Sequence, residues 1–180
     1  LTLRTKNPFC QKLENDLRRT LYCWKHMPAD MVVEPIIAVS KAITGAGFGI
    51  GVEEDRAVSD PNNDVVGHMY HDQLQTDEDL EKIRMPDCRL DVAETARREA
   101  MAHEIFDGVL TVEMQGMTPY FNAWDWVVQW RNAESVLMDL ALRPEFTHKL
   151  FSRVTEAALA QLDQAEERGT QQCITHRARF

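Results

Sequence analysis

Two short apolar runs, separated by segments of helical periodicity, constrain the fold of this chain more than any other feature. The first run covers residues 31–39 (MVVEPIIAV) and the second covers residues 109–115 (VLTVEMQ). Runs of this length, rich in β-branched residues and bounded by turn-forming residues, are typical of strands buried on both faces of a parallel sheet. Pro35 cannot donate a backbone hydrogen bond, so we expect it at a strand end or a bulge.

Four segments place apolar residues at helical spacing, at about residues 8–26, 92–106, 132–142 and 144–168. Asn7 and Pro8 are a typical N-cap and first-turn residue for the first helix, and Gly108 ends the second. A capping box at Thr76–Asp79 predicts one further short helix. The last segment is the longest, and its predicted sheet-packing face consists of Phe146, Leu150, Phe151, Val154, Ala158, Leu162 and Ala165.

The alternation of helices with buried strands favours a parallel α/β architecture. Residues 44–51 contain GxGxG and lack the GxGxxG pattern of dinucleotide-binding sheets, so a barrel is favoured over an open sheet. The chain has 180 residues, fewer than the roughly 250 of a complete (β/α)8 barrel. We therefore predict the N-terminal portion of a TIM barrel. It forms a single partial domain over residues 1–180, with an N-terminal helix within 1–30 and a truncated or frayed end at 170–180.

The net charge of −9 is concentrated in the middle of the chain, where residues 53–107 carry 16 acidic and 6 basic side chains. Without a basic stripe, neither nucleic acid nor an anionic membrane is expected as the main partner. The four cysteines form no CxxC pair and no secretory signal precedes them, so we expect reduced thiols and a cytoplasmic location. A homo-oligomer remains open.

Three segments together resemble the uroporphyrinogen decarboxylase-like superfamily. Residues 130–140 (WRNAESVLMDL) followed by 143–150 (RPEFTHKL) are similar to the superfamily pattern GxENxLxDLxxxPEFxHxLL. Residues 164–169 (QAEERG) match the start of its AxxxGAD motif, and residues 76–86 (TDEDLEKIRMP) its T.EDLEKLK.P segment. The resemblance extends over roughly residues 10–169. It implies a TIM barrel with its pocket at the C-terminal ends of the strands.

The superfamily contains tetrapyrrole decarboxylases and zinc-dependent methyltransferases that act on corrinoid proteins or thiols. Residues 20–60 lack the RQAGRYLPEY segment of the decarboxylases, and residues 116–121 (GMTPYF) do not reproduce their GAPWT. Methyl transfer is therefore the favoured activity, with a small molecule or a corrinoid protein as substrate. The alternatives are uroporphyrinogen decarboxylation, which needs no cofactor, and a catalytically silent barrel fragment that serves as a binding or structural piece.

The methyltransferases hold zinc with an H-x-C pair and a distant cysteine in the second half of the barrel, where the metal activates a thiol. No H-x-C pair occurs in this chain; Cys173 and His176 form a lone CxxH, a weak candidate for metal binding. We therefore expect no metal or cofactor in this fragment. Zinc in the full-length protein stays open, and the fragment alone is predicted to be inactive.

Catalytic residues are not identified, but six side chains are candidates for substrate binding. Glu34 is a carboxylate inside a predicted buried strand, and Gln115 ends the next strand. Polar groups crowd a predicted loop over residues 68–72. Trp124 belongs to a tryptophan cluster in which we expect at least two indoles to be core and one to line a large, flat ligand. The full set is Glu34, His68, His71, Asp72, Gln115 and Trp124, and we predict that Glu34, Gln115 and the 68–72 loop converge on one pocket.

Overall fold

The computed structural model describes residues 3–27, 29–58, 66–118 and 120–170. Its helices are α1 (Pro8–His26), α2 (Val92–Phe106), α3 (Ala123–Arg131), α4 (Ala133–Leu142) and α5 (Pro144–Glu167), with a 3-10 helix at Glu78–Lys82. Its strands are β1 (Ile36–Ser40), β2 (Ile43–Thr44), β3 (Glu54–Ala57), β4 (Gly67–Tyr70), β5 (Arg89–Leu90) and β6 (Thr111–Gln115). The predicted mixed α/β class is confirmed.

The strands of the described residues form three two-stranded sheets, β1–β6, β2–β5 and β3–β4, and no closed barrel. The contacts divide the chain into two compact units. Unit 1 comprises residues 1–43, 90–117 and 170–180, and unit 2 comprises residues 44–89 and 118–169. The short strands β2 and β5 lie where the chain passes from one unit to the other.

Unit 1 is built on the parallel pair β1–β6, whose register runs from Ile36 opposite Thr111 to Ser40 opposite Gln115. The strands are shorter than the sequence predicts, because only the second half of the 31–39 run is extended and paired. Pro35 marks the boundary. It has no N–H for the ladder, although its carbonyl accepts from Thr111 N at 2.8 Å. Glu34 therefore precedes the strand and is exposed, so the prediction of a carboxylate inside a buried strand is wrong.

Helices α1 and α2 cover one face of this strand pair. Leu13, Ile37, Val39 and Ala102 are buried, and the half-buried side chains packed around them are Phe9, Leu17, Phe106, Leu110, Val112 and Met114. The helix bounds agree with the prediction, but the apolar stripe of α1 is buried only in its first half, since Leu21 is 67% and Trp24 59% exposed. A 19-residue helix is about 28 Å long and a five-residue strand only about 17 Å. The end of α1 therefore extends beyond the sheet.

Unit 2 has a helical core. Helix α5 buries Phe146, Leu150, Val154 and Ala157 against α3, α4 and the 3-10 helix, through partners that include Leu74, Leu80, Ile83, Val127, Trp130 and Val136. The predicted face is largely correct, although Leu162 is 37% exposed. The partner surface was predicted wrongly, because this core consists of helices and loops and not of a sheet. The Thr76–Asp79 capping box is confirmed, with Asp79 Oδ2 accepting from Thr76 N at 2.9 Å.

The glycines of residues 44–51 have a structural role in unit 2. Gly45 adopts φ +71°, and its carbonyl accepts a hydrogen bond from Asp87 N at 2.9 Å. A Cβ at Gly45 would collide with the Asp87 carbonyl, so the two backbones can approach this closely only with glycine. Gly45 and Gly49, both at positive φ and closely packed, are therefore accounted for, whereas a Cβ at Gly47 would meet nothing within 4 Å.

Candidate functional site

The polar segment predicted as a loop at residues 68–72 is largely a strand. His68 and Tyr70 lie in β4, which pairs antiparallel with β3 so that His68 is opposite Arg56 and Tyr70 is opposite Glu54. Because side chains alternate along a strand, these four residues share one face of the hairpin. Sequence reasoning did not recognise the strand, because Gly67–Tyr70 contains no alternation of apolar and polar residues.

Both histidines of this hairpin are paired with carboxylates. His68 Nδ1 lies 2.8 Å from Glu54 Oε2, and Glu54 Oε1 accepts from Arg56 Nε at 2.6 Å. His71 Nε2 lies 2.9 Å from Asp55 Oδ2. We define these residues, Glu54, Asp55, Arg56, His68 and His71, as the histidine hairpin. The pairing restricts the orientation of each imidazole.

The ion pairs of the histidine hairpin shift two pKa values in opposite directions. Hydrogen bonds from Arg56 and then His68 lower the pKa of Glu54. The hydrogen bond to Asp55 and its negative charge raise the pKa of His71 above 6.5. His71 thus carries a proton over a wider pH range than a free histidine. Since the imidazole is exposed, it can donate that proton to a ligand or to solvent.

Asp72, the neighbour of His71, belongs to a buried ion-pair network. Arg131 is only 4% exposed, and its Nη1 donates to both carboxylate oxygens of Asp72, at 2.8 and 3.0 Å. Its Nε donates to Asp139 Oδ2 at 2.8 Å, and Nη1 also bonds the Leu74 carbonyl. A buried guanidinium needs such partners. Asp72 therefore has a structural role here and is not a free ligand-binding carboxylate.

Sequence reasoning did not single out Arg131 and Asp139, although both belong to segments that carry the family resemblance. The available signal was local: Arg131 follows a run of tryptophan and valine, and Asp139 lies among apolar residues of α4. Opposite charges in two apolar segments predict that the two residues are buried as an ion pair. Which residues become partners depends on how the segments pack in the fold.

Trp124 lies in the first turn of α3, the helix that carries the tryptophan cluster. Its indole is 48% exposed and packs against Phe151, with ring centroids 4.6 Å apart. Trp130 is buried, and Trp126 meets Phe48 edge-on at 5.0 Å. The expectation that at least two indoles are core is met in part, since Trp130 belongs to the buried cluster and Trp126 is half-buried against it. Trp124 is the member with a surface free to meet a ligand.

Gln115 and Glu34 lie at opposite ends of the same strand pair in unit 1. Gln115 ends β6 opposite Ser40, and its carbonyl accepts from Lys41 N at 2.8 Å, whereas Glu34 precedes the start of β1. At about 3.3 Å per residue, the two positions are roughly 20 Å apart along the strands. The predicted convergence of Glu34 with Gln115 is therefore wrong. The other four candidates, His68, His71, Asp72 and Trp124, belong to unit 2.

Two open surface depressions flank α5, with volumes of about 380 and 430 Å³. They share His148, Ser152 and Glu156, and the larger one also includes Lys149 and Arg153. None of the six predicted binding residues lines either depression. Their walls mix charged side chains with Phe151, Ser152, Thr155 and Leu80, and Lys149 already pairs with Asp77.

Over the described ranges, no three histidine, cysteine, aspartate or glutamate side chains are grouped closely enough to hold a metal ion. Cys173 and His176 lie outside the described residues. No helix of the described chain combines the length and apolar character needed to cross a bilayer. Comparisons with family models, with curated proteins and with solved structures found no match to this chain.

Proposed function

We propose that this chain is the N-terminal portion of a TIM-barrel enzyme of the uroporphyrinogen decarboxylase-like superfamily, and that its activity is methyl transfer involving a corrinoid protein or a thiol. The observation that carries the proposal is the arrangement of the residues on which the resemblance rests. They contact one another and organise the α4–α5 pair of unit 2, so the motif corresponds to a defined piece of structure.

Each motif residue has a physical task in that pair. Asn132, at φ +64°, caps α4 by accepting from Ser135 N at 2.9 Å, and Asp139 binds Arg131. Pro144 opens α5. The ring of Phe146 lies below two guanidinium groups, 5.1 Å from that of Arg131 and 4.1 Å from that of Arg143. Because these motif residues have structural roles, the motif supports a shared fold more strongly than a shared chemical reaction.

The strand pair of unit 1 has the layering that a barrel needs. Ile37, Val39, Val112 and Met114 pack toward α1 and α2. By the two-residue period of a strand, Glu113 and Gln115 point to the opposite face. In a TIM barrel the helices lie outside and the opposite face lines the interior, with ligands bound at the C-terminal strand ends. In the proposed barrel, Gln115 would end its strand on the interior face, which supports it as a candidate for substrate binding.

Methyl transfer is preferred to decarboxylation on sequence grounds. The arginine-rich segment that would hold tetrapyrrole carboxylates has no counterpart in residues 20–60. Zinc would supply thiol activation in such methyltransferases. The described residues offer no ligand set for it. Two separate contributions are expected of this chain: substrate binding by Gln115 in unit 1, and proton donation or ligand orientation by His71 in unit 2.

The deciding experiment uses the product of the full reading frame, assayed with two substrate pairs. Methylcobalamin with a thiol tests methyl transfer through the loss of the methyl-cobalt absorption. Uroporphyrinogen tests decarboxylation through chromatography of the oxidised porphyrins. Turnover of methylcobalamin with the thiol, without turnover of uroporphyrinogen, supports methyl transfer. Formation of porphyrin products would instead support the decarboxylase alternative. Inactivity in both assays, with folded protein, would favour the silent binding or structural fragment.

A matched pair of variants tests the assigned residues in that full-length protein. His71→Ala should lower turnover or substrate affinity and leave the unfolding midpoint nearly unchanged, because the imidazole is exposed. Asp72→Ala removes a partner of the buried Arg131 and should lower the midpoint. Full activity of the His71→Ala variant would show that the histidine hairpin takes no part in turnover or substrate binding.

A further inference from the structure

Two cationic side chains of unit 1 converge on Ser40, at the C-terminal end of β1. The Lys12 ammonium on α1 donates to Ser40 Oγ at 3.2 Å, and Arg98 Nη1 on α2 donates to the Ser40 carbonyl at 3.2 Å. The two oxygens of one serine lie within about 4 Å of each other, so the two cationic groups are at most roughly 10 Å apart. At this separation, near the surface, two like charges repel.

The neighbouring carboxylates do not neutralise the positive charges of Lys12 and Arg98. Glu94 is the anion bound to Arg98, with Arg98 Nε donating to Glu94 Oε1 at 2.9 Å. Glu94 is shared with Arg97, which donates to both of its oxygens at 2.7 and 2.9 Å. No carboxylate among the described residues pairs with Lys12. Lys12, Arg97 and Arg98 with the shared Glu94 thus form a connected group with about two excess positive charges, two of whose cations contact Ser40, in a chain whose net charge is −9.

Ser40 also lies where a parallel strand pair ends, opposite Gln115. Ligands of α/β proteins bind preferentially at that edge. Ser40 and Lys12 are exposed, so a ligand can reach the hydroxyl and the ammonium hydrogens that Ser40 does not use. A lysine ammonium has three donor hydrogens, and a serine hydroxyl can donate one more.

We propose that Lys12, Ser40 and Arg98 form a binding site for a phosphate group, either free or as a monoester. A phosphate monoester carries a charge of about −1.5 to −2 at neutral pH, which matches the excess of positive charge. A carboxylate would balance only half of it. None of these three residues is assigned to methyl transfer or decarboxylation, so phosphate binding can be measured without either activity.

The test measures binding of inorganic phosphate and of methyl phosphate to the 180-residue chain by isothermal titration calorimetry at low ionic strength, with acetate as the singly charged comparison. We expect saturable binding of at least one phosphate and weaker binding of acetate. Preference for methyl phosphate identifies a monoester as the ligand, and preference for inorganic phosphate identifies the free ion. Acetate binding as tight as that of either phosphate, or absence of saturable phosphate binding, overturns the proposal.

Three variants locate the binding. Lys12→Gln and Arg98→Gln should each weaken phosphate binding by about tenfold, as expected for loss of a charge-assisted contact. The control Lys25→Gln removes one positive charge from the last turn of α1, the helix that also carries Lys12. It should leave the affinity for phosphate unchanged. Circular dichroism checks that each variant is folded. If Lys25→Gln weakens binding as much as Lys12→Gln does, the attraction is non-specific and the site does not exist.

Discussion

Among the described residues, unit 2 buries charged side chains and unit 1 buries none. Around the parallel strand pair of unit 1, the buried cluster consists of Leu13, Ile37, Val39 and Ala102, all apolar. Unit 2 has a buried cluster three times as large and holds the guanidinium of Arg131 beside it. The difference has a geometric cause. Two helices on one face of two strands leave the other face of the sheet partly exposed, whereas helices and loops surround the core of unit 2.

The comparison shows how a fold can offset the desolvation cost of burying a charged side chain. Arg131 is tolerated because two carboxylates and the Leu74 carbonyl take up its N–H groups. These partners come from loop and helix segments that a two-stranded sheet does not provide. The ionic groups of unit 1, such as Arg97 with Glu94, stay at the surface.

The largest effect is expected from Arg131→Ala in unit 2. It leaves the half-buried Asp72 without its cation and the buried Asp139 with only Arg143, 3.8 Å away, which should lower the free energy of unfolding by about 3–5 kcal/mol. Urea denaturation followed by circular dichroism measures it. Arg97→Ala breaks an exposed pair in unit 1 and serves as the control, with a much smaller effect. Equal losses would remove the distinction between the two kinds of ion pair.

The next effect concerns the apolar core of unit 2. Leu150→Ala should cost about 3 kcal/mol, because a fully packed leucine leaves a cavity. The control Glu145→Ala, on the exposed side of the same helix, should change the denaturation midpoint far less. A midpoint shift of similar size in both variants would contradict the assigned face of α5.

A smaller loss is expected in unit 1. Val39→Ala removes two buried methyl groups and should cost about 1.5–2.5 kcal/mol. Val32 is 86% exposed, so Val32→Ala should be almost neutral. If Val39→Ala lowered the free energy of unfolding more than Leu150→Ala in the same denaturation assay, the core of unit 1 would contribute more per residue than that of unit 2.

The smallest expected effect is the pH dependence of the histidine hairpin. Asp55 raises the pKa of His71 above 6.5, so the folded state favours the protonated imidazole. The contact therefore stabilises the fold fully below about pH 6.5, and this contribution is lost as the pH rises through the folded-state pKa. NMR titration should show a His71 midpoint above 6.5 that returns toward 6.5 in Asp55→Asn. An unchanged midpoint would refute the pairing.

The sequence alone determined the elements whose signals are local. The bounds of α1 and α2 agree with the prediction because an N-cap, the apolar spacing and a stop residue all lie within the helix or next to it. The same holds for the capping box at Thr76. The prediction of two strands was correct in place but too long in extent, since pairing partners decide how much of an apolar run is extended.

Only the tertiary structure decided which residues meet. Arg131 binds Asp72 from 59 positions away, and β1 pairs with β6 across a segment that belongs largely to unit 2. The separation of Glu34 from Gln115 follows from the parallel register, and the exposure of Leu21 and Trp24 follows from the lengths of helix and strand. Such contacts arise from chain segments distant in sequence, and local periodicity contains no information about their partners.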